Sequence, residues 1–333
     1  MARGLWFGVS LSLLGLALLA PQAHAQEMNP AIHRFRTEVA PGLYAPNDEQ
    51  FHRLSSQLGF AVAAPITTGA ATTGTKGFYL GFETSIASID DGADYWRLGT
   101  RGDGTGGENR FVNESLVSSR LHLRKGLPFG IEIGLEGGRF YDTSLWVFGG
   151  DLKIALVEGF REGWKAILPD IALRGTVRTL TGGLGQMQMT VPSFDLILSK
   201  KIVLGSVFEL TPIVGAQLFW IFADSEVIDL TPGTDAYAEC MPVTTRDDPM
   251  VDPTTQPPFV CSGDGSDLEN NRSFDELRAF RSRLAFGLSG RYRYLTLGLT
   301  FHVDLRNPSA ADDDVPDGVQ SQWDLTASIG ARY

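Results

Sequence analysis

His302 and Asp304 stand two residues apart in the alternating run Leu295 to Leu305, which puts both on one face of a strand. A carboxylate beside an imidazole can orient it and stabilise its protonated form, so the pair could serve as a general base, with Asp90, Asp91 or Asp94 supplying further acid. A larger set consists of Arg120, Arg124, Arg174, Arg178, Arg281, Arg283 and Arg291, with Glu83, Glu132, Glu136, Asp151, Asp195 and Glu209, each in a run that alternates with apolar residues. Facing one another inside a sheet, these charges would form a paired network or the filter of a pore for a small anion. Cys240 and Cys261, the only cysteines, flank a Pro-rich stretch from Met241 to Phe259 and read as a disulfide if the chain is exported. Asp312, Asp313 and Asp314, like Asp264, Asp267 and Glu269, offer hard oxygen ligands for Ca²⁺, yet neither run completes a binding-loop signature and solvated loops are the simpler reading. No cofactor site or nucleotide motif stands out.

The elements that must hold these residues are strands. In the last eleven residues Trp323, Leu325, Ala327, Ile329, Ala331 and Tyr333 alternate with Asp324, Thr326, Ser328, Gly330 and Arg332. Comparable runs begin near Phe78, Val117, Ile131, Trp146, Ile171, Phe194, Phe208, Phe280 and Leu295, which makes ten. An even number of strands closes a barrel with both chain ends on one side. The connections on that side are short at Lys125 to Pro128, Lys200 to Gly205 and Arg293, and moderate at Glu158 to Leu168. Opposite them lie the long loops Asp90 to Asn113, Asp224 to Leu277 and Arg306 to Ser321. The expected fold is therefore all-β: a closed antiparallel transmembrane β-barrel over residues 78–333 with ten strands, or twelve if Leu58 to Thr67 contributes. Pro192 and Pro212 should each mark a bulge or a strand end, since proline donates no ladder hydrogen bond.

Residues 1–25 have the layout of a secretory signal peptide, with Arg3, an apolar run from Leu5 to Ala20, and small residues before a cleavage site after Ala25. Gln26 follows rather than Cys, which argues against a lipid anchor. The terminal strand, ending on Tyr333, resembles the C-terminal strand of Gram-negative outer-membrane β-barrels. That resemblance implies residence in the outer membrane, insertion by the barrel-assembly machinery, and contact with outer-membrane lipid and lipopolysaccharide. Residues 26–77 form an N-terminal periplasmic or plug segment. In it Asn47 can cap a short helix with Phe51, Leu54 and Leu58 on one face and Gly59 as its stop. The small-residue stretch Ala61 to Gly77 resembles the N-terminal hatch of the outer-membrane long-chain fatty-acid channel family. His302 and Asp304, placed near the outer end of a strand, resemble the rim Asp and His of the omptin proteases, in the reverse order.

Charge narrows function. Arg3 is the one charge in residues 1–25, so the remaining 308 residues carry 27 basic and 39 acidic side chains, an excess that argues against nucleic acid as a partner. Residues 224–278 hold thirteen acidic and three basic residues, so the long loop is an acidic outer surface. Trp146, Trp220, Phe222, Phe280 and Trp323 should ring the outer rim, and Phe78, Phe129, Phe208, Tyr292 and Tyr333 the inner one. The expected function is non-catalytic: a narrow channel for a small solute, or a structural or surface-binding barrel. An omptin-like protease using His302 and Asp304 is the alternative.

Overall fold

The structure, a computed structural model, describes residues 27–103, 107–159, 168–182, 186–205, 207–234, 241–242, 259–260 and 265–333. The expected signal peptide, Asp264 and both cysteines lie outside these residues. The short ladder between Met241–Pro242 and Phe259–Val260 sits just inside the cysteines in sequence. If the two are joined, thiol titration of the denatured, unreduced protein will find no reactive thiol, and two thiols will appear after reduction.

The strands are β1 (Phe78–Ser88), β2 (Ser115–Leu127), β3 (Ile131–Phe140), β4 (Trp146–Val157) and β5 (Asp170–Thr181). They continue with β6 (Met187–Ser199), β7 (Phe208–Ser225), β8 (Leu277–Tyr292), β9 (Leu295–Asp304) and β10 (Trp323–Arg332). Each pairs antiparallel with the next, and β10 returns to β1, from Asp324 opposite Ala87 to Arg332 opposite Tyr79. The sheet is a closed ten-stranded barrel, with a short strand, Ile202–Leu204, folded back on the start of β7. Alternation sets the two faces. In β5, Asp170, Ala172, Arg174, Thr176, Arg178 and Leu180 are buried in the lumen, while Val177 faces out.

The outward positions form an apolar belt that includes Leu80, Leu123, Leu135, Phe148, Leu152, Leu196, Val214, Leu288 and Leu299, all exposed. A closed surface of this kind suits a hydrocarbon surrounding, because every strand hydrogen bond is made within the wall. Among the described residues no helix is long and apolar enough to cross a membrane, so any crossing is by strands. Ring pairs edge the belt: Trp146 on Phe148, Trp220 on Phe280 and Phe301 on Trp323 towards the long-loop end, and Tyr294 on Tyr333 at the other. Phe129 is 94% exposed at the short-turn rim, in a turn that holds it at φ 64.

Neither proline causes a bulge. Pro192 pairs with Val177 on one side, and on the other the ladder to β7 lapses between Ser193 and Thr190 without a change of register. Pro212 faces β6 where that strand has ended, since the ladder there begins at Ile213 opposite Ser199. Each ring thus sits where no partner carbonyl requires an N–H.

The ends of the barrel differ as the loop lengths foretell, but the N-terminal segment does not stay at the short-turn end. Met28 N–H donates to Asp142 O, Ala31 N–H to Gly99 O and Tyr44 N–H to the Asn270 side chain, all on the long-loop side. Helix α1 (Asp48–Val62) then enters the barrel from that side, and residues 63–77 run through the lumen to β1 at the opposite rim. Of the expected alternatives for residues 26–77, periplasmic or plug, this course is that of a segment inside the lumen. The option of a strand across Leu58 to Thr67 also fails, because the helix runs to Val62 and the chain beyond it lies inside the wall rather than in it.

Two shorter helices, α2 (Asp94–Gly99) and α3 (Pro308–Ala311), belong to the loops that cover α1. Phe35, Phe51, Leu54, Phe60, Trp96, Phe140, Phe219, Ile221, Phe274 and Val315 make one buried apolar cluster across this mouth. Phe51 stacks on Phe274 at 5.0 Å, and Phe60 meets Phe219 edge-on at 6.2 Å.

Candidate functional site

The site is the lumen itself, and α1 is its first part. Asn47 caps the helix by accepting from Gln50 N–H, with Asp48 and Glu49 in the first turn, as the sequence implies. Gly59 is not the stop. It lies inside the helix against β7, where an added Cβ would come within 2.5 Å of Ile221 Cδ1. Phe51, Leu54, Leu58, Phe60 and Val62 are buried, each worth about 1.5–3 kcal/mol relative to exposure. Expelling the helix would forfeit most of that sum, so the helix is a resident plug rather than a loose lid.

An α-helix ends with carbonyls that have no internal partner, and here they end in a lumen without bulk water. The barrel supplies the donors. Arg283 donates to Phe60 O at 3.3 Å and Ala63 O at 3.1 Å, and Arg178 to Val62 O at 3.0 Å and Ala63 O at 3.1 Å. Arg281 reaches Ser56 O, Gln217 reaches Ala64 O and Arg174 reaches Pro65 O, at 2.7, 2.8 and 3.0 Å. Cations around a helix C-terminus also oppose the negative end of its dipole. Arg281 and Arg283 lie over the Phe60 ring at 4.9 and 5.0 Å.

Below the helix the chain is held group by group. Ile66 N–H donates to His302 Nε2 at 2.9 Å, Thr67 Oγ1 to Glu83 at 2.7 Å, and Ala70 N–H to Ser199 Oγ at 2.8 Å. Thr72 N–H donates to Glu158 at 2.9 Å and Thr73 N–H to Glu132 at 2.7 Å, while Arg332 donates to Thr72 O. The residues are small because the space is narrow: a Cβ on Gly69 would stand 2.8 Å from Ser199 Oγ.

The remaining lumen charges pair across the wall. Arg174 meets Asp195 at 2.6 Å, Lys153 meets Glu132 at 2.8 Å, and Arg120 meets Glu83 at 2.9 Å. Arg178 grips both oxygens of Glu136 in addition to the helix carbonyls. His122 lies between Asp151, at 2.8 Å, and Glu83, at 3.3 Å, with Arg124 against its ring. Glu83, His122 and Glu136 bring donor atoms within 4.8 Å of one another. Arg120 and Arg178 already occupy those carboxylates, so the cluster is an ion-pair network rather than a metal centre. Glu209 and Arg291, with Lys201, lie nearer the short-turn mouth and are partly exposed.

The residues proposed for catalysis do not act on each other. His302 Nδ1 faces Asp324 Oδ1 at 3.0 Å and its Nε2 accepts from Ile66, so both ring nitrogens are engaged and the side chain is fully buried. Asp304 instead accepts from Gln322 N–H at 2.8 Å and pairs with Arg281. Asp90 joins the cap, where its N–H donates to Gln57, the residue that also accepts from the Trp96 indole at 2.6 Å. Burial and then Asp91 push the Asp90 carboxyl up, and burial and then Asp90 push up the Tyr95 phenol. Burial and then Arg34 and Arg36 push the His33 imidazole down. Among the weak Ca²⁺ positions, Asp312 accepts from Phe280 N–H at 2.6 Å and Asp314 N–H at 3.0 Å, so it fastens α3 to β8.

Fold and lumen define a class: a closed ten-stranded β-barrel with an apolar outer belt, its lumen entered by a segment of its own chain. No family model matches the sequence, and no curated protein matches it. Among solved structures it is similar to the N-terminal β-barrel domain of Pseudomonas aeruginosa OprF, at 8% identity over 77% of this chain and 97% of that one, TM-score 0.27. It is also similar to the outer membrane protein OprG of Pseudomonas aeruginosa, at 11% identity over 78% and 98%, TM-score 0.27. Neisserial surface protein A is a third, at 9% identity over 79% and 97%, TM-score 0.27.

Proposed function

We propose that this chain is an outer-membrane β-barrel of a Gram-negative bacterium that seals its own lumen and presents a folded cap on the outer face. It is a structural or surface-binding barrel rather than an open passage for solute. The observation that carries this reading is the course of residues 48–77, which run through the lumen from the long-loop mouth to the short-turn rim. The apolar belt supports the membrane, and the terminal strand and leader support the outer one. Lipopolysaccharide would then surround the belt and the acidic loops would face the medium.

Planar bilayers test the sealed lumen. The full mature chain is expected to give no stable current. Deleting residues 27–77 is expected to open an anion-preferring one, because Arg174, Arg178, Arg281 and Arg283 lose the carbonyls they hold. Steady single-channel conductance by the intact chain would sink the proposal and restore the channel. Outer-membrane fractionation with heat-modifiable gel migration checks the location.

A further inference from the structure

Below the plug the lumen is not filled. At the short-turn end a space of about 50 Å³ adjoins a wider recess of about 290 Å³, and the two share Ala71, Thr73, Asp170, Lys201 and Arg332. Five cationic side chains and three carboxylates line the inner space. Glu132 is held by Lys153 at 2.8 Å, and Asp170 accepts from Gly159 N–H at 3.0 Å. Glu209 serves Lys201 at 3.0 Å and Arg291 at 3.5 Å together, while Arg332 donates to the backbone of Thr72. Among the described residues the lining therefore holds more cationic side chains than carboxylates. Hydroxyl side chains also line it, among them Thr68, Ser199, Thr211 and Ser289.

We infer that this vestibule binds a small oxyanion, with inorganic phosphate as the chemical type, entering from the short-turn side. Guanidinium and ammonium groups with convergent hydroxyls suit a compact group with several acceptor oxygens. The volume admits such an ion and excludes a nucleotide or sugar phosphate from the inner space. A lipid headgroup is the wrong source, because its acyl chains stay outside the wall while the vestibule lies within it. The inference stands whether or not the barrel conducts.

The test is calorimetric titration of the full chain in uncharged micelles at about physiological chloride, where long-range attraction is screened. The probe is inorganic phosphate, with acetate as comparator. Phosphate is expected to saturate one site, with acetate much weaker. Arg332→Gln should weaken phosphate binding roughly tenfold, the size of one charge-assisted hydrogen bond. Glu209→Gln should tighten it several-fold, since the lining loses one negative charge. An assembly defect in the closing strand would also weaken binding in Arg332→Gln, but misfolding cannot produce the gain in Glu209→Gln. Absence of saturable phosphate binding in the wild type, or unchanged affinity in Glu209→Gln, overturns the inference.

Discussion

Arg178→Met is expected to lower the stability of the folded barrel by about 3–5 kcal/mol, the cost of removing one partner from a buried ion pair. Two losses combine. Glu136 keeps its charge in the lumen with Arg120 as its remaining guanidinium, at 3.6 Å, and the carbonyls of Val62 and Ala63 lose the donor that closes the helix end. Ala63 O keeps Arg283, whereas among the described residues Val62 O has no second side-chain donor. The measurement is urea unfolding in micelles, read by heat-modifiable migration. Arg178→Met with Glu136→Gln should recover a large part of the loss, because the unpaired charge has gone. A single variant as stable as the wild type would show that the arginine collar does not hold the plug.

The same collar explains why the lumen was only half legible in the sequence. Alternation put the inward arginines and carboxylates on one face, because that depends on a period of two along each strand. It could not say what the arginines face. Arg120 meets a carboxylate on the neighbouring strand and Arg178 one two strands away, as charge complementarity suggests, whereas Arg281 and Arg283 reach a backbone more than two hundred residues earlier. Carbonyl acceptors have no sequence signature, so the helix end was invisible as a partner.

A signal for the plug was nonetheless present. Leu218, Phe219, Trp220, Ile221 and Phe222 are five consecutive apolar residues in β7, and a strand apolar on both faces is buried on both. Phe219 and Ile221 indeed face inward, as do Phe140, Leu180, Met189 and Val191 at the same end of their strands. A water-filled mouth would not be lined in this way. Reading the outward set alone gave the membrane belt and missed the second apolar surface, which receives α1. The His302 and Asp304 pair misled for a related reason. Both face inward as expected, but the neighbour across the ladder, Asp324 opposite His302, takes precedence over the neighbour two residues along.

Gly59→Ala tests that second surface most directly. In an exposed helix the change favours folding by about 1 kcal/mol, since Gly is the poorer helix former. Here the new methyl would stand 2.5 Å from Ile221 Cδ1 and 2.7 Å from both Cγ1 and Cγ2, inside contact distance for the whole branched side chain. Ile221 is fully buried in the wall and cannot rotate into space, so overpacking of about 1–3 kcal/mol outweighs the propensity gain. The helix is expected to ride outward and expose residues 48–77 to protease added from the long-loop side, with the barrel strands still protected. Ile221→Ala clears all three contacts, so the double variant should regain protection that each single variant lacks. If Gly59→Ala resists protease as the wild type does, the helix is not seated against β7 and the lumen is sealed in some other way.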